Sequence, residues 1–205
     1  SAIPIDADPQ ELALAAESLA QGLAAAGVRL VAIHSRVIFE EQFNRLVREH
    51  QSKGAVLSQA TLRLAAEAID GLGPGPVAVL CDKHGGRNAY GQLLADAFPS
   101  ARLESYREGR QESFYRLHAG ARRLEFRFQA KAENHLPAAL ASMASKYLRE
   151  LAMTALNAFW CARVPGLRPT AGYPADAPRF KAAIAAPSRR ACSTSSSRSH
   201  AAHRR

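Results

Sequence analysis

Apolar residues recur every three or four positions along five stretches of the chain, which is the spacing of one face of an α-helix. The first helix begins at the capping-box sequence Asp8-Pro9-Gln10-Glu11, with proline at the first helical position, and ends at Gly27. The same spacing predicts further helices over Phe39–His50, Ala55–Ile69, Asn88–Phe98 and Pro137–Ala162.

Shorter apolar runs predict strands between these helices. Val28–Ile33 has the composition of a short buried strand, and Val77–Cys81 is a continuous apolar run that ends at Asp82. Because the second run lacks alternation, we expect a central strand covered on both faces. Polar and apolar residues alternate in three later segments, which predicts strands with one exposed face: Arg102–Arg107, Glu112–His118 and Arg122–Gln129. The predicted fold class is therefore α/β, a mixed sheet flanked by helices.

Composition narrows the class of protein. The chain has 205 residues, 47% of them apolar and 22% charged, which excludes a wholly disordered or collagen-like chain. No apolar run approaches the roughly 18 residues of a membrane-spanning helix, and a signal-peptide pattern is missing, so no membrane partner is expected. The three cysteines are scattered, which argues against a disulfide framework or a zinc site and favours a cytoplasmic location.

Positive charge is concentrated at the end of the chain. Residues 181–205 hold six of the 27 Lys and Arg residues and none of the 18 acids, which leaves 21 cations against 18 acids in residues 1–180. We expect a domain over 1–180 and a disordered basic tail over 181–205. A solvated tail, a basic arm that binds phosphate and a shifted reading frame are all compatible with this composition. Net charge alone is weak evidence for a nucleic-acid partner.

Candidate chemistry begins at Asp82, because α/β sheets place ligand-binding groups at the carboxyl ends of strands. The glycine-containing loop Lys83–Asn88 follows and opens a helix, so its amides and its cations Lys83 and Arg87 could bind phosphate. The loop lacks the Gly-Lys-Ser/Thr of a nucleotide-binding P-loop. The alternative is a tight turn in which Asn88 caps the helix and the cations are solvated.

A second acid, Glu133, stands between the last predicted strand and the longest helix. A helix-terminus role is the structural alternative. Paired with Asp82, it could instead hold the divalent metals that phosphodiester cleavage requires. On the long helix, Ser142, Lys146 and Arg149 share a polar face that could meet a nucleic-acid backbone or simply face solvent. Tyr173, in a loop, could stack on a sugar or pack within the protein.

In chain order these segments resemble the type 2 ribonuclease H family, the bacterial HII and HIII group. The resemblance lies in Val77–Asp82, Lys131-Ala-Glu133, Ala141-Ser-Met-Ala-Ser-Lys146 with Arg149-Glu150, and Gly172-Tyr173. A divergent branch is closer still, with Asp-Lys-x-Gly-Gly-Arg-Asn at Asp82–Asn88 and Pro-Thr-Ala-Gly-Tyr at Pro169–Tyr173. The resemblance spans residues 28–180.

The resemblance implies an RNase H-like fold and an endonuclease, a hydrolase that cuts the RNA strand of RNA–DNA hybrids or RNA-containing duplexes with Mg²⁺ or Mn²⁺. Asp82 and Glu133 would then be catalytic metal ligands. Lys146 and Arg149 would lie near the phosphate backbone, with Ser142 on the same helix face, and Tyr173 would contact the sugar at the cleavage site. Lys83 and Arg87 flank the acid pair and are expected to bind phosphate.

The chain also departs from the family pattern. Glu replaces Asp at 133 and 150, and Lys83 stands where the family has glycine. The family opens with a strand that carries adjacent Asp and Glu, and Ser1–Ala7 do not match it. We therefore expect an N-terminally truncated domain with an incomplete sheet, two of four metal carboxylates and doubtful activity. The alternatives are a non-catalytic nucleic-acid-binding module with the same fold, and a structural domain with no nucleic-acid role.

Overall fold

Helices and a mixed four-stranded sheet make up the chain, whose computed structural model describes residues 8–185. Its contacts divide the chain into two compact units, Ser1–Ala132 and Glu133–Arg205. The general α/β class predicted from the sequence is confirmed. Over residues 8–185, no helix is both long enough and apolar enough to cross a membrane.

The first unit carries most of the elements. Its helices are α1 (Pro9–Ala25), α2 (Glu40–His50), α3 (Lys53–Asp70) and α4 (Gly91–Ala97), and its strands are β1 (Val77–Asp82), β2 (Arg102–Arg107), β3 (Glu112–Ala119) and β4 (Arg122–Gln129). The predicted cap of α1 is present, because the Asp8 carboxylate accepts a hydrogen bond from the Gln10 amide at 2.7 Å. Ser52 caps α3 in the same way through the Ala55 amide.

The sheet has the strand order β1-β4-β3-β2. β1 runs parallel to β4 in a register that pairs Asp82 with Gln129, and the other neighbours are antiparallel. In the part of the chain that the structure describes, β1 therefore lies at an edge, and the expectation of a central strand is wrong. Its apolar run has another cause: Val77, Val79 and Cys81 pack against the core, while small Ala78 is exposed on the opposite face.

One face of the sheet builds the core of the first unit. Alternate residues of β3 and β4 pack against α3, α4 and the loop that precedes α4. The strands contribute the buried residues Tyr115, Leu117, Leu124, Phe126 and Phe128, and the other elements contribute Leu62, Leu94 and Tyr90. The Tyr90 ring stacks on Phe128 with centroids 3.7 Å apart. Since α4 begins only at Gly91, the predicted helix start at Asn88 is three residues too early. The Tyr90 amide instead donates to the Tyr115 hydroxyl at 2.7 Å.

The predicted strand at Val28–Ile33 is wrong. Residues 28–39 have no regular structure, and Leu30, Val31 and Ile33 are exposed. A strand needs a neighbour for its backbone amides and carbonyls, and within residues 8–185 no strand pairs with this segment. The composition typical of a strand is therefore not sufficient here.

The second unit is built on α5 (Leu136–Cys161), whose bounds agree with the prediction to within one residue. A loop follows, and residues 177–185 are helical. Phe180 in this last helix is buried, whereas the sequence placed the start of a disordered tail at Lys181. The remainder of the predicted tail, 186–205, lies outside the described residues.

Candidate metal and nucleic-acid site

Asp82 ends β1 with an exposed side chain on the sheet face opposite the core. The next residue continues the pairing, because the Lys83 amide donates to the Gln129 carbonyl at 3.1 Å. Among the described residues, the Asp82 carboxylate has neither a hydrogen-bond nor an ion-pair partner. It is therefore free to bind a cation from solvent.

Glu133 lies in a short 3₁₀ turn, Ala132–Asn134, and its side chain is exposed. The parallel register places Asp82 opposite Gln129, four residues before Glu133 along the chain. Glu133 begins the second unit, and its convergence with Asp82 stays a prediction.

Lys83 is held inside the protein structure by oxygen acceptors. Its ammonium donates to the carbonyls of Gly109 at 2.6 Å and Arg87 at 3.3 Å, and to the side chains of Asn88 at 3.0 Å and Ser113 at 3.1 Å. Burial lowers its pKa, and the nearby Glu108 charge opposes that shift. Phosphate binding by Lys83 would require these hydrogen bonds to break. Lys83 therefore joins the Lys83–Asn88 loop to the turn between β2 and β3.

His84 anchors the same loop to α3. Its Nδ1 lies 2.9 Å from the Ser58 hydroxyl, and its amide donates to the Tyr90 hydroxyl at 3.1 Å. Burial lowers the pKa of His84, the Arg87 charge lowers it further, and the Asp82 charge opposes both. The neutral imidazole is thus the form that fits this position.

Sequence reasoning did not identify the Ser58–His84 pair. A signal was present, because Ser58 shares the helical spacing of Leu62, Ala65 and Ile69 on the buried face of α3. A hydroxyl on an apolar helix face needs a partner, since an unpaired buried polar group is costly. The partner itself comes from a loop 26 residues away.

Arg87 keeps its side chain available. No ion pair involves its guanidinium in the described part of the chain, and the residue is half-buried. Gly85, two residues before, has φ of +62°, a conformation that glycine adopts without strain. The loop therefore turns sharply between a buried histidine and an available cation.

In the second unit the structure brings Arg149 and Tyr173 together. The Arg149 guanidinium lies 5.1 Å from the centroid of the Tyr173 ring and donates to the Ala171 carbonyl at 2.6 Å. It also pairs with Glu150 at 2.5 Å. The Tyr173 ring is 62% exposed, so a ligand can still reach it. Lys146 and Ser142 lie about one and two turns before Arg149 on α5, and Lys146 is exposed.

The loop that carries Tyr173 is fixed to α5. The Asn157 side-chain amide donates to the Thr170 carbonyl at 2.8 Å and accepts from the Thr170 amide at 2.9 Å. Gly172 has φ of +75°, and a Cβ there would lie 3.0 Å from the sulfur of Met153. Glycine is therefore required at this approach of the loop to the helix.

A bidentate ion pair closes the end of this loop. Arg179 binds both carboxylate oxygens of Asp176, at 2.6 and 2.9 Å, and donates to the carbonyls of Arg168 and Pro169. The Arg179 guanidinium lowers the pKa of Asp176 to about 2. The Pro169–Tyr173 segment is thus held from both sides by side chains that sequence reasoning missed.

The donor set limits the metal chemistry. Within residues 8–185, no three His, Cys, Asp or Glu side chains are grouped so that they could hold a metal ion. A pair of divalent ions about 3.5–4 Å apart would need more carboxylates than the two that the resemblance assigns, Asp82 and Glu133.

Comparisons with protein-family models, with curated proteins and with solved structures found no match to this chain.

Proposed function

We propose that this chain binds the backbone of an RNA–DNA hybrid through α5 and the Gly172-Tyr173 loop, and that its activity is RNase H-type cleavage of the RNA strand. The observation that carries the proposal is the apposition of Arg149 and Tyr173. These residues come from two motifs, 24 positions apart, that resemble the same family. If the two motifs form one site, as the resemblance implies, these two residues have to lie close together.

The chemistry of this pair suits a sugar-phosphate backbone. Lys146 and Arg149 carry positive charge on one face of a helix, and phosphate contacts by such residues dominate the affinity for nucleic acid. The exposed Tyr173 ring offers an apolar surface to a ribose, and its loop is already ordered by Asn157. Because the loop is fixed before binding, little conformational entropy is lost when a ligand binds.

Asp82 and Glu133 would hold the divalent cation, Mg²⁺ or Mn²⁺. When bound, such a cation activates water and stabilises charge on a phosphodiester. The part of the protein is to present two carboxylates that are not neutralised by internal ion pairs. Both side chains are exposed and have no ion pair among the described residues, which fits that part.

A second candidate is a non-catalytic module that binds hybrids. The observation in its favour is that residues 8–185 contain no three-ligand metal cluster. Both candidates predict binding, and only the first predicts cleavage.

Fluorescence anisotropy with a labelled RNA–DNA hybrid tests the binding that both candidates share. We expect Arg149→Gln and Tyr173→Ala each to weaken binding by about tenfold, the loss of roughly 1.4 kcal/mol. Arg163→Gln is the matched control, because Arg163 also lies over an aromatic ring, that of Phe159, and the hydrogen bond of its guanidinium goes to the Phe159 carbonyl. Wild-type protein that does not bind the hybrid, or equal effects of all three variants, would overturn the proposal.

Cleavage separates the two candidates. With Mn²⁺ and an RNA strand labelled at its 5′ end, the first candidate predicts a small amount of product that Asp82→Asn abolishes while hybrid binding is retained. Binding without product in any metal would favour the non-catalytic module.

A further inference from the structure

The turn between β2 and β3 lies at the same end of the sheet as Asp82. β1 and β4 are parallel and both end there, β3 is antiparallel to β4 and begins there, and β2 ends there. Strand direction therefore places residues 108–111, which connect β2 to β3, at the same end of the sheet as the Lys83–Asn88 loop.

Three hydrogen bonds fix this turn. The Lys83 ammonium donates to the Gly109 carbonyl at 2.6 Å, the Ala130 amide donates to the Gln111 carbonyl at 3.0 Å, and the Tyr115 hydroxyl donates to the Glu108 carboxylate. The turn is thus attached to β3, to the end of β4 and to the loop after Asp82. A side chain carried by this turn has a defined position relative to Asp82.

The cations at this end of the sheet are not equivalent. Glu112 pairs with Arg107 at 2.5 Å and lies 3.7 Å from Arg127, so these two arginines are largely neutralised. Arg110 in the turn is exposed and, like Arg87, has no ion pair in the described part of the chain. Arg110 and Arg87 are therefore available positive charges at this end of the sheet, as is the exposed Lys131 after β4.

We propose that Arg110 is a phosphate-binding residue and that it acts with Arg87 on a nucleic-acid strand lying across the Asp82 end of the sheet. This inference rests on the proposed function and adds a contact that the sequence motifs did not include. Lys83 is the positioning residue of this surface, because it ties the turn with Arg110 to the loop with Arg87. An arginine on a fixed turn loses less side-chain freedom on binding phosphate than one on a mobile loop.

The salt dependence of hybrid binding tests the inference. Each lost phosphate contact lowers the slope of log K against log salt by about 0.7–0.9. We expect Arg110→Gln and Arg87→Gln each to lower the slope by about this amount. Arg102→Gln is the matched control: Arg102 is exposed at the opposite end of β2 and forms no ion pair among the described residues. We expect it to leave the slope unchanged.

A second variant tests the positioning role. Lys83→Gln removes a charge that is already bound internally, and we expect it to weaken binding through displacement of the turn. If Lys83 acts by positioning the turn, the double variant with Lys83→Gln and Arg110→Gln should lose less binding free energy than the sum of the losses in the two single variants. Additive losses would show that Lys83 binds phosphate independently and would overturn its positioning role. Thermal unfolding of each variant verifies that the fold is intact.

The outcomes separate this inference from the proposed function. If Arg149→Gln weakens hybrid binding while Arg110→Gln and Arg102→Gln both leave the slope unchanged, the proposed function stands and this inference is wrong. If Arg110→Gln and Arg102→Gln lower the slope by the same amount, the effect reflects net charge alone, and this inference is also wrong. If the wild-type chain does not bind hybrid, both fail.

Discussion

The Tyr115 hydroxyl is a junction of three segments. It accepts a hydrogen bond from the Tyr90 amide and donates one to the Glu108 carboxylate, while its ring lies in the core. Burial and the hydrogen bond with Glu108 both raise the pKa of Tyr115, so the hydroxyl stays protonated and can donate.

Replacing Tyr115 by Phe should therefore lower the free energy of unfolding. The Tyr90 amide would be left buried without a partner, which costs about 1–3 kcal/mol. Urea unfolding measures the change, and Tyr106→Phe is the control because Tyr106 stacks on Tyr115 but is exposed. Equal stabilities of the two variants would contradict the role given to the Tyr115 hydroxyl.

His84 makes stability depend on pH. Its pKa in the folded chain is lowered, so folding favours the neutral imidazole. The stabilisation is present above the unfolded pKa of about 6.5 and is lost as the pH falls below it towards the folded pKa. We expect the free energy of unfolding to drop between pH 8 and pH 5, and the drop to be smaller in His84→Gln than in His34→Gln. Identical pH profiles of the two variants would show that another group controls the dependence.

Among the secondary-structure elements, α5 holds the Tyr173 loop in large part through Asn157, which forms two hydrogen bonds with Thr170. Asn157→Ala removes both hydrogen bonds to Thr170 without a change of charge. With each of the two bonds contributing about 0.5–1.5 kcal/mol to loop order, we expect hybrid affinity to fall by about fivefold or more. Anisotropy titration measures this, with Asn44→Ala on the exposed side of α2 as the control. An unchanged affinity would mean that the loop does not need Asn157 to bind.

Elements with a strong internal pattern could be predicted from the sequence. Alternation in β2, β3 and β4 and the spacing in α5 identify these elements, because each pattern reports which face is buried. Which strands lie next to one another could not be predicted in this way. The apolar run of β1 does not tell whether one strand or two flank it, and Val28–Ile33 has a strand's composition without a partner strand.

In the candidate site, too, features set by local motifs could be predicted and features set by tertiary contacts could not. Asp82 at a strand end and the Tyr173 loop follow from local motifs. The role of Lys83 does not, because two of its four acceptors, Gly109 and Ser113, are 26 and 30 residues away and only tertiary structure brings them near. A lysine in a glycine-containing loop can bind phosphate or can hold the loop in place. The hydrogen bonds that it forms in the structure distinguish these two roles.

In the chain as a whole, the positive charge of residues 186–205 should raise the affinity for nucleic acid without adding specificity. Residues 186–205 carry five arginines and no acids. Deleting them leaves the helix over 177–185 and buried Phe180 intact. We expect a shallower salt dependence of binding with an unchanged preference for hybrid over duplex DNA. If the deletion abolishes binding while Arg149→Gln has no effect, the surface on α5 is not a nucleic-acid site.

Cleavage by the 205-residue chain should be weak. Two carboxylates are available where two metal ions share about four ligands in the reaction that the resemblance implies. A time course with Mg²⁺ and a uniformly labelled RNA strand should show little or no product over that of Asp82→Asn. Robust Mg²⁺-dependent cleavage would contradict the two-carboxylate description of the site.

The proposed function predicts that Asp82 and Glu133, 51 residues apart, share one divalent cation. Titration of the full chain with Mn²⁺, followed by electron paramagnetic resonance of the free ion, measures this directly. We predict one bound Mn²⁺ per chain that is lost in Asp82→Asn and equally in Glu133→Gln, and kept in Asp96→Asn on α4. Retention of Mn²⁺ in either of the first two variants would show that the carboxylates do not form a common site.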